Sequence, residues 1–114
     1  MKKYRVVFEP EAEEEILFAY YWGVDHWGEY EAERWLQEMY SAVFGRLSSF
    51  PLSCSVAPES DSTDGEVRHY LFRRYRILFE VDQDRVIVLH ISGPYRSKLE
   101  NEQTSDNEDI QPIA

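Results

Sequence analysis

The chain has a single cysteine, Cys54, in 114 residues. An internal disulfide is therefore excluded, and so is a metal site built on clustered thiolates. Nothing beside Cys54 in the sequence marks an activating base or helix start, so it reads as an inert residue. A lone thiol fits a reducing compartment, and the expected location is the cytoplasm. Long apolar runs are missing as well. There is no signal-like apolar stretch at the N-terminus and no run of about 18 apolar residues, so neither secretion nor a membrane span is expected. Positive charge is scarce: 12 Lys and Arg stand against 22 Asp and Glu, a net charge of −10. A surface of that sign argues against simple coating of nucleic acid. The length allows one domain with one modest core.

The scarce positive charge is not evenly spread. From Glu9 to Glu38 there are ten acidic residues and one basic one, Arg34. From Val67 to Lys98 there are seven basic and three acidic, and from Glu100 onward five acidic and none basic. The basic stretch, VRHYLFRRYRILFEVDQDRVIVLHIS, is also the richest in β-branched and aromatic residues. It predicts strands over Val67–Phe72, Arg74–Val81 and Val86–Ile91, the last two joined by the polar turn Asp82–Gln83–Asp84–Arg85. The last strand is apolar enough to lie mid-sheet.

Upstream, Lys2–Phe8 alternates as a strand, with Tyr4, Val6 and Phe8 on one face. Pro10 suits the first turn of a helix, and Glu11, Glu13, Glu14 and Glu15 complement its positive end. Ala12, Ile16, Ala19 and Tyr20 give the apolar stripe, which Leu17 and Trp22 widen. The Glu13–Glu15 run reads as a solvated face, since three consecutive residues diverge around a helix. Gly23–Gly28 is expected to break the helix. A second helix opens at Glu29 or Tyr30 and runs to about Ser49, with Ala32, Trp35, Leu36, Met39, Val43 and Leu47 on its apolar side. The segment 51–66 reads as a long loop, pinned at Val56–Ala57–Pro58 and flexible from Ser60 to Gly65. Residues 99–114 read as an acidic, disordered tail. The expected fold class is α+β: an N-terminal strand, a helical hairpin, then a three-stranded antiparallel meander, with the helices on one face of the sheet. The arginines are expected to gather on the uncovered face.

In this order and spacing the chain resembles the RelE/ParE superfamily, the toxin halves of bacterial type II toxin–antitoxin pairs. The matching parts are the opening strand running into Phe8–Glu9–Pro10–Glu11–Ala12, the helical hairpin, the Ala57–Pro58–Glu59 loop and the YRILFEV…VIVLHI hairpin followed by Arg96. The likeness covers residues 1–98. It implies an antitoxin encoded beside the chain, no cofactor, no metal and no membrane. Members similar to RelE cleave messenger RNA on the ribosome without a metal. Members similar to ParE bind DNA gyrase instead.

By that resemblance Arg76 and Arg96 stand at phosphate-binding positions, and His69 stands where RelE-like members carry a lysine. Guanidinium groups suit such a site because they grip a phosphate bidentately and stabilise developing charge. His69 could act as general acid or base, its ordinary pKa being near 6.5. Arg68, Arg73, Arg74 and Tyr95 are candidate binding residues. The chain departs from RelE-like members in its charge, in having only Lys98 beyond Lys3, and in lacking a tyrosine or histidine from Leu99 onward. The expected function is ParE-like inhibition of gyrase by binding. The alternatives are ribosome-dependent mRNA cleavage and a degenerate toxin that only binds its antitoxin. Arg76 also has a structural alternative, an ion pair with Glu80 or with a helix glutamate. His26, His69 and His90 show no metal-ligand spacing, and His90 reads as a strand residue hydrogen-bonded in place.

Overall fold

The computed structural model describes residues 2–62 and 65–93. Tyr95, Arg96 and the tail 99–114 lie outside the described residues, as do residues 63 and 64 of the expected flexible loop. The elements are β1 (Arg5–Phe8), α1 (Pro10–Trp27), α2 (Glu29–Leu47), two 3-10 turns (Pro51–Ser53 and Pro58–Ser62), β2 (Arg68–Phe72), β3 (Tyr75–Asp82) and β4 (Arg85–Ser92). The sheet has the order β1-β4-β3-β2. β2, β3 and β4 form the antiparallel meander, while β1 lies parallel to β4, with Val6 beside Val86 and Phe8 beside Val88. A parallel neighbour needs a crossover connection, and the helical hairpin supplies it. β4 is thereby central, as its apolar run predicts.

The helical hairpin corrects one expectation. α1 does not break at Gly23 but continues to Trp27. Gly23 is buried where the two helices meet: an added Cβ would come within 3.0 Å of the Trp27 ring and 3.4 Å of the Ala32 Cβ. The break falls at Gly28, whose φ of 97° and ψ of 159° are essentially open to glycine alone. Ala12, Ile16 and Ala19 of α1 and Trp35, Met39, Val43 and Leu47 of α2 pack on Ile77, Phe79, Val86 and Val88. Each fully buried aliphatic or aromatic side chain contributes about 1.5–3 kcal/mol relative to exposure. Trp22 joins the buried set, but Leu17 does not; it is 52% exposed.

β4 carries a bulge. Val86 and Val88 face the helices, yet so does Ile91, which strict alternation would turn outward. The register slips between Leu78 and Phe79: Phe79 opposes Val88 and Leu78 opposes His90, leaving Leu89 as the extra residue. Leu89 packs with Ala57, Val67 and Leu78 in a small second cluster on the other face. The long loop reaches that face along the outer edge of β2. Ala57 N–H donates to the Val67 carbonyl at 2.8 Å, His69 N–H donates to the Ser55 carbonyl at 3.0 Å, and Val56 bridges to Arg68. The pinning expected at Val56–Pro58 is thus present. Ser60 extends it, its hydroxyl accepting Val67 N–H at 3.0 Å.

Candidate functional site

Alternation along β3 places Arg76 with Leu78 on the face away from the helices. On β2, His69 opposes Leu78, one diagonal step from Arg76. The two side chains meet, with Arg76 Nη2 3.1 Å from His69 Nδ1. A guanidinium can only donate, so Nδ1 is the acceptor and Nε2 carries the proton of the neutral ring.

The rest of the Arg76 fork is taken by Glu59, in the turn Pro58–Ser62. Nη1 donates to one carboxylate oxygen at 2.8 Å and Nη2 to the other at 2.9 Å. The partner is thus neither Glu80 nor a helix glutamate, the two anticipated from the sequence. The Arg76 guanidinium holds the Glu59 carboxyl down, from 4.5 to about 2, and Glu59 in turn raises the Arg76 pKa. This fork-on-fork geometry is the one arginine uses for phosphate. In this chain its own carboxylate fills it.

Among the described residues the other arginines do not converge there, which corrects the expected gathering of Arg68, Arg73 and Arg74 on the uncovered face. Arg68 shares a side with Tyr70 and Phe72, whose rings pack on the helix-covered core. Its guanidinium donates to the Leu52 and Cys54 carbonyls and pairs with Glu66 at 3.0 Å. Arg73 sits in the β2–β3 turn with φ 55°. It lies over the Phe72 ring at 4.9 Å and pairs with Glu38 of α2. The Arg73 hydrogen bond is the main reason the Glu38 carboxyl lies below its usual range. A cleft of about 380 Å³ opens here, walled by Trp27, Trp35, Arg34, Glu38 and Arg73. Arg74 is exposed in the same turn.

Two residues that matter were missed as such. Glu59 lies in a stretch read as loop, and only the preceding Pro58 hints at an ordered turn. Glu15, read as part of a solvated face, is mostly buried at the edge of β4. One of its oxygens accepts Ile91 N–H at 2.7 Å and the other lies 3.3 Å from His90 Nδ1. His90 is held in place as anticipated. Burial raises the Cys54 thiol pKa, which keeps it protonated and unreactive. Among the described residues no three His, Cys, Asp or Glu side chains are placed to hold a metal ion, and no helix is long and apolar enough to cross a membrane.

Comparison with known proteins adds two findings. The model of the ParE toxin of type II toxin–antitoxin systems, parDE, matches residues 6–93. Among solved structures, a chain of the chromosomal ParDE toxin–antitoxin system from P. aeruginosa is similar, with a TM-score of 0.67. It is 19% identical, over 80% of this chain and 96% of that one. That likeness shows a shared fold. A search of curated proteins gave no match.

Proposed function

The chain belongs to the ParE toxin family of type II toxin–antitoxin systems, and from that premise we propose that it acts by binding and inhibiting DNA gyrase. One observation carries the preference for binding over cleavage: the Glu59 carboxylate occupies the Arg76 fork. A cleaving site needs cations free to stabilise charge that develops on a phosphate. Arg68, a candidate cation on the neighbouring strand β2, is spent on backbone carbonyls on the opposite side. A binding inhibitor needs neither group free. The mRNA-cleaving alternative draws on the contact between His69 and Arg76, a proton carrier beside a cation.

The experiment is expression of the chain without its antitoxin, with a supercoiling assay on purified gyrase beside it. Linearised plasmid DNA, an SOS response and blocked supercoiling, with messages intact, are the expected result. New transcript ends at stalled ribosomes would transfer the function to mRNA cleavage. Normal growth with neither sign would leave a degenerate toxin that only binds its antitoxin.

A further inference from the structure

Near the tip of the helical hairpin the fold leaves open the cleft of about 380 Å³ between α2 and the β2–β3 turn. Glu31, Arg34, Trp35 and Glu38 recur at helical spacing, which lays them along one side of α2. Arg73 faces them from the turn and pairs with Glu38. Arg34 lies 3.6 Å from Glu31 and 3.4 Å from Glu38. The two guanidiniums and the two carboxylates offset one another, so the walls carry no net charge. The indoles of Trp27 and Trp35 supply the apolar surface. Trp27 is 40% exposed yet held in place. Its ring stands edge-on to Trp22, with centroids 5.5 Å apart, and covers Gly23, where an added Cβ would meet it at 3.0 Å. Beside the cleft, Tyr30 is 74% exposed and stands one helical turn from Arg34.

We infer that this cleft is the gyrase contact: an uncharged, apolar or aromatic side chain on a basic surface of the enzyme enters between Trp27 and Arg73, and Tyr30 and Arg34 close the rim over it. The inference rests on the gyrase reading and gives it a place on the molecule. Tryptophan, tyrosine and arginine dominate the energetics of protein interfaces, and two Trp, one Tyr and two Arg meet here. Packing and ion pairs fix these groups before a partner arrives, which lowers the cost of association. A cleft of this size lies at the small end of the range of about 300–1,000 Å³ typical of ligand sites, which suits an inserted side chain. Charge complementarity selects the partner. An enzyme that holds DNA offers a basic surface to its phosphates. The hairpin that carries the cleft has ten acidic residues and one basic one between Glu9 and Glu38, and Asp25, Glu29, Glu31 and Glu33 are exposed around its tip. These carboxylates steer the chain onto a cationic surface and make the encounter sensitive to salt. The cleft, being neutral, then takes a side chain without charge.

The test is calorimetric titration of purified gyrase with the purified chain at several salt concentrations, with titration of the antitoxin encoded beside it as a second readout. For Trp27→Ala combined with Tyr30→Asp, Kd for gyrase should rise at least fiftyfold, while Kd for the antitoxin stays within about threefold. Tyr30→Asp alone changes a side chain open to solvent, so the fold is kept, and it should raise Kd for gyrase at least tenfold. Glu29→Lys combined with Glu33→Lys should also raise it at least tenfold, with a flatter salt dependence. Leu52→Ser, an exposed apolar change beyond the other end of α2, should stay within twofold. Circular dichroism and unfolding midpoints establish that each variant is folded. Tight gyrase binding by the original chain that survives Trp27→Ala/Tyr30→Asp and Tyr30→Asp would overturn the inference alone. Tighter binding by Glu29→Lys/Glu33→Lys would mean an acidic surface on the enzyme and overturn it too. Loss of antitoxin binding with gyrase binding intact would give the cleft to the antitoxin, and a dimer of the free chain that Tyr30→Asp dissolves would give it to a second copy. Either result overturns the inference. Failure of the original chain to bind gyrase would overturn the gyrase reading and its site together.

Discussion

Glu59 keeps its charge down to about pH 2 because both Arg76 nitrogens donate to it. Its folded pKa lies below the ordinary 4.5, so the pair stabilises the fold fully above that pH and loses the effect as pH falls through about 2. Both side chains are partly open to water, 31% for Arg76 and 45% for Glu59, so screening reduces the full linkage value. The contribution is on the order of 1 kcal/mol. Glu59→Gln should lower stability at pH 7 by about that amount, and the gap to the original chain should close between pH 4.5 and 2. Urea denaturation over that range checks it. A gap that widened on acidification would contradict the ion pair.

Connections carry the next predictions, because the strands and helices themselves follow ordinary patterns. Gly28 joins α1 to α2 with a backbone that a side chain strains. Gly28→Ala should cost about 1–3 kcal/mol, read as a lower unfolding midpoint, although an added Cβ would meet no neighbour within 4 Å. The β3–β4 turn is the converse case. Gln83 sits at φ 61°, where a left-handed backbone penalises any residue with a Cβ. Gln83→Gly should raise stability by up to about 1 kcal/mol. The bulge at Leu89 is an element-scale device of another kind: it lets Val88 and Ile91 both face the core and sends Leu89 to the small cluster under the loop.

At the scale of the whole molecule, charge is divided between faces. The helices present carboxylates, and the arginines of the sheet are distributed among separate local partners: Glu59 for Arg76, Glu66 for Arg68, Glu38 for Arg73 and Asp82 for Arg85. An inhibitor that works through a shaped surface tolerates the loss of one such cation, whereas a nuclease does not. Arg76→Ala should therefore still arrest growth within about twofold of the original potency when expressed without antitoxin. Titrated induction with matched protein levels measures it, and a loss of 100-fold or more would point to cleavage.

The fold was legible in the sequence because its signals are local. Alternation marked the first strand, β-branched and aromatic content marked the other three, the stripe from Ala32 to Leu47 marked α2, and Pro10 with its glutamates marked the start of α1. The family likeness was legible for the same reason, as a fixed order of such segments. Partnerships across the chain were not. Arg76 and Glu59 are 17 residues apart, and Ile91 and Glu15 are 76 apart. Which carboxylate reaches which donor depends on how the loop folds over the sheet and where α1 crosses the edge of β4. The sequence alone could list Leu17 with the core, since a helical stripe has no sharp border. Only the angle at which α1 lies on the sheet decided that Leu17, Phe18 and Tyr21 face outward.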